Sequence, residues 1–407
     1  MNRLTLAWRN ISRNHRRSLL TGGIVAFGFA SFALAGGFMA QSFEGLRNNA
    51  IRSGLGHLQF ADARLFEKSE DRTLEYGIPN AGKAVDVLRR DAEVATVMPR
   101  IEFFGLVSAG AHSVPFAGLG VDPQAEALGS EIPKGVKQGA WLTPGSHDVV
   151  LGSGLARLLN ARVGDSVTLL ATTPDGTLNA MDARVSGIAD IFIKELSERY
   201  LALPLPLAQE LLTVPDKVSR ISVLLKEPAH EPEAATRLTH ELQQAGISLA
   251  VRTWQQLALF YQQVRVLYLG IFGFMGAVLV VVVFLSAANA TLMSVAERTR
   301  EIGTLRALGA RSRRITISFI LEGILLGLVS SAGGTLLSIL ITIAINAAGI
   351  EMPAPPGSAH GFVIHVQIIP LAYLLATGAM TGTLALASFF TARRAARAPI
   401  VESLAYV

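Results

Sequence analysis

Residues 266–296 read VLYLGIFGFMGAVLVVVVFLSAANATLMSVA, with Arg265 before them and Glu297 after them and no charged side chain between. At 1.5 Å of rise per residue, such a run is long enough as a helix to cross a hydrocarbon layer of about 30 Å. Three more blocks of the same kind follow from the same criterion. One lies between Arg17 and Glu44 with its apolar core at Leu19 to Ala40, one between Glu322 and Glu351, and one from Ile368 to Ala392. Half of the residues are apolar and the mean hydropathy is +0.42, which an ordinary soluble chain of this length does not show. The first block is too long for a signal h-region, so it reads as a span. The expected spans are therefore 19–40, 266–290, 315–346 and 367–391.

Arginine placement orients them. The segment 1–18 carries Arg3, Arg9, Arg13, Arg16 and Arg17; the link 291–314 carries Arg298, Arg300, Arg306, Arg311, Arg313 and Arg314; the tail 392–407 carries Arg393, Arg394 and Arg397. Only Glu297, Glu301 and Glu402 oppose them, while the link 347–366 has no Lys or Arg. The positive-inside rule puts both termini and the 291–314 link in the cytoplasm. The basic balance thus reports topology and contact with anionic membrane lipids, and gives no reason to expect nucleic acid.

The segment 41–265 is different in character, holding every lysine of the chain and most of the acids. Stretches rich in β-branched residues read as strands: Ala95 to Met98, Ser113 to Val121, Asp148 to Leu151, Val163 to Leu170, Ala183 to Ile191 and Arg220 to Leu225. Gly82 to Asp91, Gly154 to Asn160 and Glu231 to Ala245 read as helices, and Pro174-Asp175-Gly176 as a turn. The expectation is a large α+β domain in two lobes, inserted between the first and second of four transmembrane helices. With no cysteine it must hold itself by an ordinary core.

At its far edge Thr253-Trp254-Gln255-Gln256 has the form of a capping box. Trp254, Leu257, Tyr261, Val264 and Tyr268 then recur at spacings of three and four, which predicts a coiled-coil seam continuing without a break into the second span. Phe43, Leu46 and Ala50 extend the first span more weakly. These edges read as a pair of stalk rods, or alternatively as a surface helix that ends where the bilayer begins.

Signs of an enzyme are absent. No P-loop, G-x-S-x-G or H-E-x-x-H motif occurs; Gly82-Lys83 lacks the rest of a Walker motif, and Gly152-Ser153-Gly154 reads as a turn. His360 and His365 lack further metal ligands beyond Glu351. No catalytic residue, cofactor or metal site is expected in this chain. Glu322 is the one acid within an apolar block, either a functional group or a side chain that reaches the interface or a basic partner. Gly323-x-x-x-Gly327 and Gly378-x-x-x-Gly382 put small residues on one face of the third and fourth spans.

The most ordered signal is the cytoplasmic link. Glu297, Arg298, Thr299, Arg300, Glu301, Ile302, Gly303, Leu305, Arg306, Leu308 and Gly309 combine charges of both signs spaced for i,i+3 pairing with an apolar row three apart. A glycine stands where a helix stops. A loop that only orients spans needs none of this order, whereas a short helix presented to a cytoplasmic partner does.

Residues 293–310, MSVAERTREIGTLRALGA, closely resemble the link after the second span in MacB- and LolC/LolE-type ABC transporter permeases, the FtsX-like permease superfamily. Further likeness lies in the opening LAWRNISRNHRRSLLT, in Val149 to Gly152 and Ala161 to Val167, and in Arg393 to Leu404. The resemblance implies a periplasmic domain of Porter and Sabre lobes in a bacterial inner-membrane protein. It further implies a dimer, with an identical copy or a second permease, served by a cytoplasmic ABC ATPase that uses ATP and Mg. Such a chain is a mechanotransmitter, its residues Glu297 to Ala310 coupling ATP hydrolysis to work on a hydrophobic, lipidated or peptide-like cargo such as lipoprotein, with a periplasmic adaptor or carrier as a further partner. Unlike MacB, this chain starts almost at the first span, so a separate ATPase is expected. The short polar segment Ala171 to Met181 replaces an apolar hairpin found in the Lol subunit that hands lipoprotein to its carrier. An alternative is FtsX-like signalling to a periplasmic hydrolase without transport, and another is a membrane-anchored adaptor with no ATPase.

Overall fold

The computed structural model describes residues 15–67, 74–191, 193–352 and 362–395. Arg3, Arg9, Arg13, Arg397, His360 and the Pro353-to-Gly357 loop lie outside these. The described chain divides into two compact units, one built on four long helices and the other on Gly45–Gln263. The first long helix, α1, is His15–Ala50, and a π-type turn at Ile51–Leu55 follows it.

The inserted domain has one path of strands: β1 Leu58–Ala61, β2 Val94–Ala109, β3 His112–Val121, β4 Val136–Gly139, β5 Asp148–Gly152, β6 Ser166–Thr172, β7 Leu178–Ala189, β8 Tyr200–Pro204, β9 Arg220–Leu225 and β10 Ala250–Thr253. Its principal helices are α2 Ala81–Arg89, α3 Pro123–Gly129, α4 Ser153–Leu159, α5 Leu205–Leu212, α6 Glu231–Gln244 and the single turn α7 Trp254–Leu257. All six strand stretches and all three helices expected from the sequence lie within or overlap these elements. The turn at Gly176 has φ +82°.

Two lobes share β2. Its first half pairs with β9, and the order β10-β1-β9-β2 is antiparallel throughout. With α2 after β1 and α6 after β9, this lobe is a split βαβ of the β-α-β-β-α-β kind, the second lobe entering between its middle strands. Leu58, Phe60, Leu88, Val223, Leu238 and Leu242 fill its core. The second half of β2 pairs with β3 on one side and β6 on the other, and β3-β8-β5-β7-β6 leads back to β2, closing a ring of six strands. Phe103, Phe116, Leu151, Val167, Leu169 and Leu201 lie inside it. Pro99 is tolerated within β2 because the β3 pairing begins only at Arg100↔Val121, so the edge that lacks an N–H is unpaired there.

Where the lobes meet, Arg100 and Glu126 are buried, 4% and 1% exposed, in a bidentate pair. The Asp122 side chain caps α3 by accepting from the Gln124 and Ala125 N–H groups at 3.0 and 3.2 Å, which sets Glu126 in the first turn facing Arg100. Arg100 Nη1 also donates to the Gly54 carbonyl at 2.6 Å, and so does the Ser222 hydroxyl at 2.8 Å. Gly54 has φ +123°, and a Cβ there would strike the Arg100 guanidinium. The turn that leaves α1 is thereby tied to both lobes.

Arg237 on α6 donates to Asp91 at 2.6 Å and to Glu93 at 2.7 Å, and holds both carboxyl groups below their ordinary range. His230 Nδ1 lies 3.3 Å from Glu93. Depressed carboxylate values stabilise the fold above the unfolded values of about 4 and lose that contribution as pH falls through the folded ones. Arg237→Gln should therefore lower the unfolding temperature most between pH 6 and 8, and the gap to the parent should close below about pH 4. A gap of constant size down to pH 3 would contradict this assignment.

The helical unit consists of α1 with α8 Leu259–Glu297, α9 Thr299–Ala307, α10 Ser312–Ala348 and α11 Pro370–Ala395. Four of these, all but α9, are long and apolar enough to span a membrane. Val25, Phe29, Val283, Ala376, Met380 and Leu384 form their shared core. One expectation needs correction. Gly323 and Gly327 do pack closely, a Cβ on Gly327 meeting Thr381 Cα at 2.8 Å, but Gly378 and Gly382 have open space beside them. The fourth span meets those glycines with Thr381, Leu384 and Ser388 instead, because only one of two facing surfaces needs to be small for the axes to approach.

Candidate functional site: the link after the second span

The link is built by its own residues. Helix α8 ends at Glu297, and the Thr299 hydroxyl donates to the Val295 and Ala296 carbonyls, both at 3.0 Å, taking acceptors that the helix end leaves free. Arg298 occupies the bend with φ −112° and ψ 12°. Helix α9 then runs over Thr299–Ala307 and stops as expected at Gly309, whose φ is +91°. The Ala310 N–H bonds to the Leu305 carbonyl and the Gly309 N–H to that of Arg306, both at 3.0 Å, which is a Schellman closure.

Two expectations change here. Glu297 belongs to α8 and not to the short helix, and it faces Arg17 of α1 at 3.7 Å. The apolar row also divides. Ile302 is buried with Val295, Ile315, Phe319 and Ala392, whereas Leu305 and Leu308 are 50% and 81% exposed. At 100° per residue a row three apart drifts by about 60° at each step, so with Ile302 turned inward Leu305 falls at the margin of the contact and Leu308 points away from it. Gly303 is buried as well, while Arg300 and Glu301 are exposed and Arg306 is half-buried. The outward surface of α9 is therefore Arg300, Glu301, Leu305 and Leu308.

Beneath the bend lies a cleft of about 70 Å³, where Arg17, Arg298 and Glu322 meet apolar Ala287, Phe319 and Leu384. Arg298 is 8% exposed and its Nη1 donates to Glu322 Oε1 at 3.3 Å. Glu322 is thus the acid with a basic partner that its isolation in an apolar block suggested, and the partner is Arg298 across 24 residues. The roles of Arg17 and Arg100 were not legible. A single arginine in a basic stretch or within a strand carries no mark of burial.

The stalk residues fall as follows. Thr253 and Gln256 form the expected capping box, but the helix stops after one turn at Leu257, and Ala258, with ψ 69°, separates α7 from α8. The seam is not continuous. Trp254 is buried with Ile51, Met98, Ala125 and Leu224, and its ring meets that of Tyr261 edge-on at 4.9 Å. Burial of the indole in the inserted domain sets the axis of α7 and overrides the helix-forming preference of the segment. Leu257, Tyr261, Val264 and Tyr268 are each half-buried while Gln255, Gln256, Gln262 and Gln263 are exposed, so the predicted stripe is the inward one. Tyr268 packs on Phe43 of α1, ring centroids 5.9 Å apart.

Comparison with known proteins agrees with this architecture. The MacB-like periplasmic core domain model matches residues 18–241, more than half of the chain, and the FtsX-like permease C-terminal model matches residues 273–400. The chain is 26% identical to the lipoprotein-releasing system transmembrane protein LolE of Haemophilus influenzae over 324 residues, 76% of this chain and 77% of that one. It is 25% identical to LolC of Xylella fastidiosa over 64% of this chain and 63% of that one. To the macrolide export ATP-binding/permease protein MacB of Escherichia coli it is 34% identical over 46% of this chain and 28% of that one. The periplasmic region of MacB from Actinobacillus actinomycetemcomitans aligns with 52% of this chain and 95% of its own at 16% identity, with a TM-score of 0.39. Four long apolar helices, a two-lobed α+β domain inserted after the first and an ordered link after the second are the features of one class: the chain belongs to the FtsX-like ABC transporter permeases with a MacB-like periplasmic core domain.

Proposed function

We propose that the chain is the non-catalytic permease subunit of a MacB/Lol-type ABC system, driven by a separate cytoplasmic ATPase and performing its work outside the inner membrane. The observation that carries the reading is α9. Its Ile302 is spent on the bundle, yet it keeps two large apolar side chains and a pair of opposite charges facing out. An exposed Leu at 81% beside Arg and Glu is the composition of a docking face with an apolar anchor and a charged rim. The ATPase, using ATP and Mg, sits against that face, which places the link and both termini in the cytoplasm. Its stroke passes through the spans and the Trp254-to-Tyr268 stripe to the lobes. The machine contains two permease chains.

Cargo is hydrophobic, lipidated or peptide-like. The β6–β7 connection closes within residues 173–177, held by Thr173 and Thr177, so hand-off to a carrier through an extended hairpin is not proposed. The test is reconstitution. The purified chain, mixed with each free-standing ABC ATPase encoded by its genome, should bind one of them and raise its ATP turnover several-fold. If none binds or responds, the adaptor reading replaces this one.

A further inference from the structure

The charged groups at the base of the bundle go further. Between Arg314 and Glu351 the chain places one charged side chain, Glu322, where ionised groups are costly and persist only with a partner. Its partner Arg298 is not on a surface arm. Arg298 is the residue at which α8 ends and α9 begins, its backbone carbonyl accepts the Ile302 N–H at 2.9 Å, and its guanidinium reaches back to α10. The carboxylate and the bend are therefore tied by a single side chain. On the other side of the bend, Glu297 faces Arg17 of α1.

We propose that Glu322 is a positioning residue for the cytoplasmic link: by holding Arg298 it keeps the α8–α9 bend at one angle, and so joins motion of α9 to α10. The proposal deepens the coupling reading and rests on it only for its consequence, since the positioning itself is a property of this chain alone. Ile302 packing against Ile315 and Phe319 gives α9 one contact with α10, and the Arg298–Glu322 pair gives a second at the other end of the helix's first turn. Two separated contacts define an orientation, whereas one leaves a pivot.

The experiment uses the full-length chain in detergent or nanodiscs and reads amide hydrogen exchange over residues 299–307. Glu322→Gln and Arg298→Gln should each speed exchange there by roughly tenfold, while β2 and α11 exchange as in the parent. The reversed pair, Arg298→Glu with Glu322→Arg, should bring the rate back towards that of the parent. Glu322→Asp, which keeps the charge on a shorter arm, should fall between and serves if Glu322→Gln does not accumulate. Unchanged exchange in Glu322→Gln, or a reversed pair no better than the single variants, overturns the proposal. ATPase binding is measured on the same samples. A parent that recruits no ATPase, with exchange behaving as expected, removes the coupling reading and leaves the positioning role standing. A parent that recruits the ATPase, with α9 exchange insensitive to Glu322, does the reverse.

Discussion

The Leu305→Asp variant is expected to lose co-purification with the ATPase and any stimulation of its turnover, and Glu301→Arg to do the same, while both accumulate in the membrane like the parent. Leu305 is 50% exposed and Glu301 is exposed, so neither change disturbs packing within the chain. Placing a carboxylate where an apolar anchor enters a groove leaves it buried without a partner, and anchors of this kind cost about 2 kcal/mol or more when removed, which is a loss of roughly thirtyfold or greater in affinity. Reversal of Glu301 adds a like-charge clash if the partner offers a base there. Two controls separate docking from folding. Arg313→Gln, on an exposed position at the start of α10, should leave binding within about twofold. Ile302→Asp should instead reduce the amount of folded chain, because Ile302 is buried on Val295, Ile315 and Phe319. Wild-type recruitment by both the Leu305 and the Glu301 variants would show that α9 is not the docking element.

The second large effect is expected at the junction of the lobes. Glu126→Gln leaves the Arg100 charge 4% exposed with no carboxylate, and breaking one partner of a buried pair costs about 3–5 kcal/mol. For a domain of this size that lowers the unfolding temperature by roughly 10 °C. Gly54→Ala should be comparably harmful, since φ +123° disfavours any side chain and the guanidinium occupies the space a Cβ needs. The pair is not required for stability as such. Replacing Arg100 by Met together with Glu126 by Leu should cost less than Glu126→Gln alone, because two apolar side chains need no desolvated counter-charge. Thermal unfolding of the purified chain in detergent measures all three. A Glu126→Gln protein melting within about 2 °C of the parent would mean that water or a neighbouring group already compensates Arg100.

The residues that the sequence marked clearly were those whose signal is local. A charge-free run needs only counting, so all four long helices were legible, and the strands and helices of the inserted domain followed from residue type and turn chemistry. Gly309 was legible as a helix stop because a left-handed closure selects glycine whatever the surroundings. The short strands β1, β4, β8 and β10 and the helices α3 and α5 escaped notice. Leu58–Ala61 and Tyr200–Pro204 are buried at every position, so they show none of the alternation that identifies a half-exposed strand.

By itself, the sequence determined that this is a four-span membrane chain with an α+β domain between the first two spans and an ordered helix on one side of the bilayer. Those conclusions rest on hydropathy, charge sign and turn residues, which act over a few positions and survive any tertiary arrangement. Tertiary structure alone decided that β6 returns to β2 and closes a six-stranded ring, that α7 breaks from α8 at Ala258, and that Ile302 turns inward while Leu305 and Leu308 stay out. It also chose the partners of Arg100 and Arg298, each separated from its carboxylate by about two dozen residues. The physical reason is common to all of these. A helical period tells which residues share a face, and a lone charge tells that a partner is needed, but what covers the face and which group supplies the opposite charge depend on segments brought together only by packing.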